Sequence, residues 1–593
     1  MPAFPFIGTK FIAASCLLAL QGCAATPSSS SSSLLSAESD VSVEKAVALE
    51  VKPAKPKHNA IAEGKMSAEQ MFRFLQAEMV VSRGDLVTAF GEFYSLAAEL
   101  KDPDLLKRTF QLSMATYEPD KIQAATELWK QTQPEAEIPW RASYLLKLRA
   151  QDVDGAFEDW QTYQELSKAD LNEDILTAAQ RIAGSVPAEA GLMFFEKMAD
   201  AYPDDWSAHF GMAIIASAHQ MPNLAIEALK QAAKYSEGEA LSKVYQSLAK
   251  LYVQTSEVEE GIAELRPYLQ DNPQDYLVLE RYARLLVLQE SYQDAEKQYQ
   301  RVLDANPDSA QARLSLALLQ MEQKEYPSAL ENLEQLISVK GFGSVASYYK
   351  GMALQDLKRY DEALQALAQV KGKPYKVDAL LHSAEILFTQ QKLAETYAIL
   401  DQIPEGDPEV KVKKLRALAI FKGFEGKLDE ALALYEAVLE IEPGNVDVLL
   451  AKSYIFYNFE DYARYEAVLN QVLELDPDNV EALNGLGYYY AENKIKLPLA
   501  ESMLKKAMQV APDNYYVVDS LGWLYFQMQD YSRAVQYLEQ AWSMREDEEV
   551  FLHLVKAYIQ AGDLTKAQKL WNAHYDKFQN VGIIEDFQKS LPW

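Results

Sequence analysis

LGYYYAENKIKLPLAESMLKKAMQVAP, residues 486–512, carries the spacing that decides the fold. Leu486-Gly487, Tyr490, Ala500, Leu504, Ala507 and Pro512 stand at intervals that return, with one residue inserted before Ala500, in Leu521-Gly522, Tyr525, Ala534, Leu538 and Ala541. The prolines keep the same step: Pro273 and Pro307 are 34 residues apart, as are Pro443 and Pro477, and Pro512 follows 35 further on. A period of this length is one helix-turn-helix unit. Small residues such as Gly487 and Ala500 suit the point where two helices cross closely. Aromatic and leucine side chains fill the groove between pairs, and proline ends the second helix.

This pattern resembles the tetratricopeptide repeat (TPR). The same marks occur at Tyr252, at Ala295, Tyr299 and Pro307, at Ala329 and Leu333, at Gly351 and Ala363, and at Ala431, Tyr435 and Pro443; upstream, Pro203, Ala225, Leu229 and Ala232 make another unit. Between Met66 and Asp200 the period is blurred, although Arg83-Gly-Asp-Leu86 followed by Ala89 and Phe93 still reads as a helix-turn-helix. The expectation is an all-α chain: a degenerate helical-repeat region over 66–200, then a right-handed superhelical TPR solenoid over 201–593. At this period about fifteen helix pairs fit after Met66, each burying its apolar face on its neighbours.

With 57 Lys and Arg against 87 Asp and Glu, the net charge of -30 repels a phosphate backbone, so nucleic acid is not an expected ligand. The only cysteines, Cys16 and Cys23, lie at the N-terminus. Residues 11–20 are an apolar run of signal-peptide length, about half of a bilayer-spanning helix. Leu20-Gln21-Gly22-Cys23 follows and resembles the bacterial lipobox, in which the thiol is lipidated and the signal cut just before it. Residues 1–22 are thus read as a signal peptide and Cys23 as the lipid anchor. Ala24, rather than Asp, after the cysteine implies outer-membrane sorting on the enterobacterial rule. Residues 23–65, with the serine run 28–33 and Pro53-Ala-Lys-Pro-Lys57, are expected to be a disordered tether.

Chemistry is sparse. No Gly-x-Ser-x-Gly elbow occurs, the six histidines form no His-Glu-x-x-His pair, and Gly341-Phe-Gly-Ser344 reads as a turn rather than a phosphate loop. No catalytic residue, metal, cofactor or small-molecule substrate is expected. One stretch stands out: the first helices of three successive repeats place Tyr454, Tyr457 and Asn458, then Asn484 and Tyr488, then Asp519, Trp523 and Phe526 at groove-facing positions. Rings and amides there suit an extended peptide. The alternative is that the rings pack between adjacent first helices.

The lipobox, Ser82-Arg-Gly-Asp-Leu-Val-Thr-Ala-Phe90 with Lys101-Asp-Pro-Asp104, Ala482-Leu-Asn-Gly-Leu-Gly-Tyr488, Asp519-Ser-Leu-Gly-Trp523, and Gly562-Asp-Leu564 to Leu570-Trp571 are similar to the large TPR-containing outer-membrane lipoproteins of gammaproteobacteria. These are binding partners of a periplasmic carboxyl-terminal processing protease. The resemblance spans nearly the whole chain. It implies a non-enzymatic adaptor on the periplasmic face of the outer membrane, held by its lipid, that binds the protease and presents peptidoglycan hydrolases to it. The competing expectation is a scaffold subunit of an outer-membrane secretion, polysaccharide-export or assembly complex.

Overall fold

The computed structural model describes residues 66–577, 587–589 and 591–592. Leu20, Gln21, Gly22 and Cys23, with the segment expected to be a tether, lie outside the described residues. Contacts divide the chain into two units, 1–349 and 350–593. Unit 1 runs through α1 (Ala68–Ser82), α2 (Leu86–Leu100), α3 (Pro103–Thr116), α4 (Pro119–Thr132), α5 (Glu137–Arg149), α6 (Val153–Leu166), α7 (Leu171–Ile182), α8 (Ala188–Ala201), α9 (Trp206–Ala218), α10 (Pro222–Tyr235), α11 (Gly238–Thr255), α12 (Val258–Asp271), α13 (Tyr276–Leu288), α14 (Tyr292–Ala305), α15 (Ala310–Glu322) and α16 (Tyr326–Leu336) into α17 (Gly343–Asp356). Unit 2 continues with α18 (Tyr360–Ala368), α19 (Lys376–Thr389), α20 (Leu393–Leu400), α21 (Pro408–Phe424), α22 (Leu428–Ile441), α23 (Val446–Asn458), α24 (Tyr462–Leu475), α25 (Val480–Glu492), α26 (Leu497–Val510), α27 (Tyr515–Gln527), α28 (Tyr531–Met544), α29 (Glu548–Gln560) and α30 (Leu564–His574). Among the described residues there is no strand.

Odd-numbered helices open a pair and even-numbered ones close it. Every opening helix ends in one left-handed residue: Gly84, Tyr117, Gln151, Gly184, Gln220, Ser256, Glu290, Lys324, Lys358, Gln391, Gly426, Glu460, Lys494, Gln529 and Gly562, at steps of 33 to 36 residues. At twelve of the fifteen, all but Tyr117, Gly184 and Ser256, the geometry is a Schellman-type stop. After α13, for example, Glu290 N–H donates to the Val287 carbonyl at 2.9 Å and Ser291 N–H to that of Leu286 at 2.8 Å. The step continues unbroken through 66–200, where the sequence period is blurred. The residue inserted before Ala500 is absorbed in a second left-handed residue, Lys496, beside Lys494. Closing helices end just before Pro203, Pro273, Pro307, Pro443, Pro477 and Pro512, whose rings cannot continue the hydrogen-bond ladder. Gly341, at φ +88°, turns the chain into α17 as its sequence suggests.

Within a pair the helices cross at the small residues. A Cβ on Gly487 would stand 2.5 Å from Leu504 Cγ, and one on Gly522 2.7 Å from Leu538 Cγ. Ala500 and Ala534, on the closing helices, are fully buried. Three tyrosines of the last repeats point into the groove and are wired by their tips. Tyr490 donates to Glu466 at 2.8 Å with the Lys496 ammonium over its ring, and Tyr525 donates to Glu501 at 2.9 Å with Arg533 above it. Tyr558 donates to Glu539 at 2.7 Å beneath Lys566. Each arrangement satisfies a buried hydroxyl and lays a cation on an aromatic face. The chain is an all-α solenoid of TPR helix pairs, built as its period predicts.

Candidate protein-binding face of the C-terminal repeats

In unit 2 the opening helices α23, α25 and α27 carry the residues picked out as a groove; Trp523 and Phe526 stack on each other, and the other contacts run to neighbours outside that set, several of them on α29. Tyr488 on α25 donates to Glu549 on α29 at 2.8 Å, past α27, which lies between them in sequence. Trp523 Nε1 donates to Glu492 at 2.5 Å. Its ring stacks on His553 at 4.0 Å and on Phe526 at 4.7 Å, and the Lys556 ammonium lies 5.1 Å from its centre. His553 Nδ1 sits 3.1 and 3.0 Å from the two oxygens of Asp519. Tyr457 packs against Tyr465 and Tyr462, and Tyr462 stacks on Tyr489.

Accessibility divides the eight residues. Asp519 and Trp523 are only 4% and 5% exposed, so they act as packing between α27 and α29 rather than as open contacts. Tyr454, Tyr457, Asn484, Tyr488 and Phe526 are partly buried, and Asn458 is exposed. Asn484 Oδ1 is itself buried with no hydrogen-bond partner among the described residues. Burial, reinforced by the Glu549 and Glu492 carboxylates, pushes the Tyr488 hydroxyl far above its ordinary pKa and keeps it a donor. Burial raises Tyr457 in the same way.

Glu492, Glu549, His553 and Lys556 complete this cluster and were not among the residues the sequence singled out. His553 stands 34 residues after Asp519, one repeat on. Stepping by the period along the opening helices would have found it. Glu492 and Glu549 are exposed and accept only from Trp523 and Tyr488 among the side-chain bonds described. The face is therefore acidic and aromatic.

In unit 1, one constellation superficially resembles catalytic machinery. Ser143 donates to Asp159 and accepts from the Lys130 ammonium at 2.9 Å; Lys130 and Lys147 each pair with Asp159, at 3.0 and 2.9 Å. Ser143 is 2% exposed and its base partner is held by a carboxylate, so this is a buried ion-pair network with no path for a substrate. Among the described residues no group of three metal-ligating side chains occurs, and no helix is long and apolar enough to cross a membrane.

Repeated helix pairs with a polar, aromatic opening-helix face define a protein-interaction scaffold. Its repeats are tetratricopeptide repeats: one TPR family model matches residues 247–310, 283–338 and 314–376, and a second matches 354–419, 425–487 and 525–580. No curated protein matches the chain. Among solved structures, MamA 41-end from Desulfovibrio magneticus RS-1 is similar at 20% identity, with 31% of this chain and 98% of that one covered and a TM-score of 0.26. A chain of the structure of Naa15/Naa10 bound to HypK-THB is similar at 14% identity, with 88% and 100% covered and a TM-score of 0.29. Likenesses with TM-scores this low carry no weight for fold or function.

Proposed function

We propose that this chain is a lipid-anchored adaptor on the periplasmic face of the outer membrane. It binds a periplasmic carboxyl-terminal processing protease and brings peptidoglycan hydrolases to it, so restraining cell-wall cleavage. The observation that carries the reading is the lipobox-like stretch Leu20-Gln21-Gly22-Cys23 ahead of a TPR scaffold. A solenoid with two occupants raises their mutual concentration without performing chemistry, and the anchor confines that meeting to one surface. In unit 2 the partner contacts are Tyr454, Tyr457, Asn458, Tyr488 and Phe526, with Asp519 and Trp523 supporting them from behind.

Affinity purification from membranes tests the reading. Recovery of a soluble protease together with wall hydrolases supports it, whereas recovery of an outer-membrane barrel or secretin instead sinks it in favour of an assembly scaffold. Repeating the purification with Cys23→Ser shows whether anchoring contributes. Tyr454→Ala with Asn458→Ala should weaken capture without lowering the melting temperature. Trp523→Ala should cost about 3 kcal/mol of stability whatever the partner.

A further inference from the structure

The outer side of α1 lacks what the end of a solenoid needs. Met71, Phe72, Leu75 and Met79 share one face of this helix and are 40–67% exposed. The opposite face does the packing: Ala77 is fully buried, and Phe74 meets Phe93 of α2 edge-on at 5.6 Å. The helix thus has two apolar faces, of which its own repeats cover one. A terminal repeat ordinarily turns a polar face outward, because no neighbour follows to bury an apolar one. At the C-terminal end the chain does supply cover, with the Phe587 ring 5.6 Å from that of Trp571 on α30. A contiguous apolar stripe left open in this way marks an interaction surface.

Charge says what the stripe meets. Residues 24–51 carry Glu38, Asp40, Glu44 and Glu50 against Lys45, whereas residues 52–83 carry Lys52, Lys55, Lys57, Lys65, Arg73 and Arg83 against Glu63, Glu69 and Glu78. In a chain of net charge -30, this second stretch stands at +3, six cations less three carboxylates. Arg73 is matched by Glu92 and Glu99, and Glu78 by Arg108. Arg83, exposed at the end of α1, makes no ion pair among the described residues. At about 0.1 M salt, charges are screened over about 10 Å, so this local excess rather than the distant acidic repeats sets the attraction. A second copy on the stripe would set two basic stretches side by side. The chain just ahead cannot cover it, since Ile61 is the only large apolar side chain in residues 52–65.

We propose that α1 lies in the surface of an anionic phospholipid bilayer, with Met71, Phe72, Leu75 and Met79 among the acyl chains and with Arg83 and the lysines ahead of the helix against the phosphates. An apolar helix face beside a basic run is the chemistry of an interfacial helix. The inference rests on the anchor reading in one respect: the lipid on Cys23 brings a bilayer within reach, since residues 24–65 can extend to on the order of 100 Å. With α1 seated, the first repeat is fixed at the lipid surface instead of anywhere within that reach.

Unlipidated chain from Ala24 tests it, because binding then owes nothing to the anchor. It should co-sediment with vesicles of phosphatidylethanolamine and phosphatidylglycerol at about 3:1, and at least tenfold less with phosphatidylcholine vesicles. Phe72→Ser with Leu75→Ser should weaken partition to the phosphatidylglycerol vesicles at least tenfold and leave the melting temperature unchanged, since both side chains already face solvent. The chain from Ala24 contains no cysteine, so Leu75→Cys carries an environment-sensitive nitrobenzoxadiazole label at one site. Its emission should shift to the blue on adding those vesicles, while the same label at Lys297→Cys, on the exposed surface of α14, should not move. Absent sedimentation, equal binding to phosphatidylcholine, equal sedimentation of the double variant, or an unmoved Leu75→Cys label overturns the proposal. A label already blue without vesicles, with dimers that the double variant abolishes, overturns it in favour of a second copy. Cys23 found unlipidated in cells would remove the anchor reading alone; a lipidated chain whose Leu75→Cys label stays in water would remove this inference alone.

Discussion

Asp174 on α7 accepts from the Tyr163 hydroxyl at 3.1 Å and the Ser167 hydroxyl at 3.0 Å, both on one oxygen, while its other oxygen is buried without a partner among the described residues. Burial outweighs the two hydrogen bonds and raises its pKa. A carboxyl whose folded pKa lies above its unfolded one binds protons more tightly when folded. Its share of stability is therefore gained as pH falls through the carboxylate range and lost as pH rises out of it. Asp85, held low by the Thr88 N–H, and Glu99, held low by Arg73, act in the opposite sense, so total stability does not isolate Asp174. The difference between wild type and Asp174→Asn does. Asp174→Asn should be the more stable protein at about pH 8, and the gap should close toward about pH 4, read as the urea midpoint at each pH. A gap independent of pH would show that the carboxyl is not the group responsible. None of this was legible in the sequence, where Asp174 is one acidic residue among 87, because its state depends on neighbours from α6 that only the fold supplies.

At the scale of the element, the turn and the crossing obey different rules. Glycines occupy only some of the left-handed positions; Gln391 adopts φ +60° with a full side chain. Left-handed backbone costs a non-glycine residue about 1–2 kcal/mol, more than the extra chain entropy of glycine, about 0.5–1 kcal/mol. Gln391→Gly should therefore stabilise unit 2 by about 0.5 kcal/mol in chemical denaturation. Gly487 is the reverse case. Alanine there gains about 1 kcal/mol of helix propensity, but its Cβ would lie 2.5 Å from Cγ of the fully buried Leu504. Overpacking of that kind costs about 1–3 kcal/mol, and a branched carbon in a filled groove cannot retreat, so Gly487→Ala should destabilise. Combined with Leu504→Ala it should cost less than the two changes separately, as a double-mutant cycle would show. The same contrast explains what the sequence displayed. Crossing positions favour Gly and Ala where the helices approach closely, so Gly487, Ala500, Gly522 and Ala534 reveal the period at sight. Turn positions tolerate Gln, Glu, Lys, Ser or Tyr at modest cost, so the step through 66–200, carried by Gly84, Tyr117, Gln151 and Gly184, shows only in the backbone. In the candidate binding face the rings were legible from their spacing. The pairing of Tyr488 with Glu549 across 61 residues was not, since it depends on how far each repeat turns from the last.

Across the whole molecule, energetics should be local. Each helix of a solenoid packs on near neighbours in the chain, so stability is a sum of repeat and interface contributions. The Asp159 network tests this. Asp159 carries the counter-charge for Lys130, whose side chain is 10% exposed, and for Lys147, and it accepts from Ser143. Asp159→Ala leaves the buried Lys130 ammonium on α4 with only Glu127, at 3.6 Å, as counter-charge and should destabilise those repeats by about 3 kcal/mol. Native-state hydrogen exchange locates the damage. Amides of residues 119–182 should exchange faster, while those of 480–544 keep their protection, because the described contacts of the Asp159 network lie within residues 127–159. A uniform rise along the chain would mean that both units unfold as one cooperative block. Local loss would mean instead that a partner bound to one stretch of repeats stabilises that stretch alone, which is the behaviour required of a scaffold that holds two proteins independently.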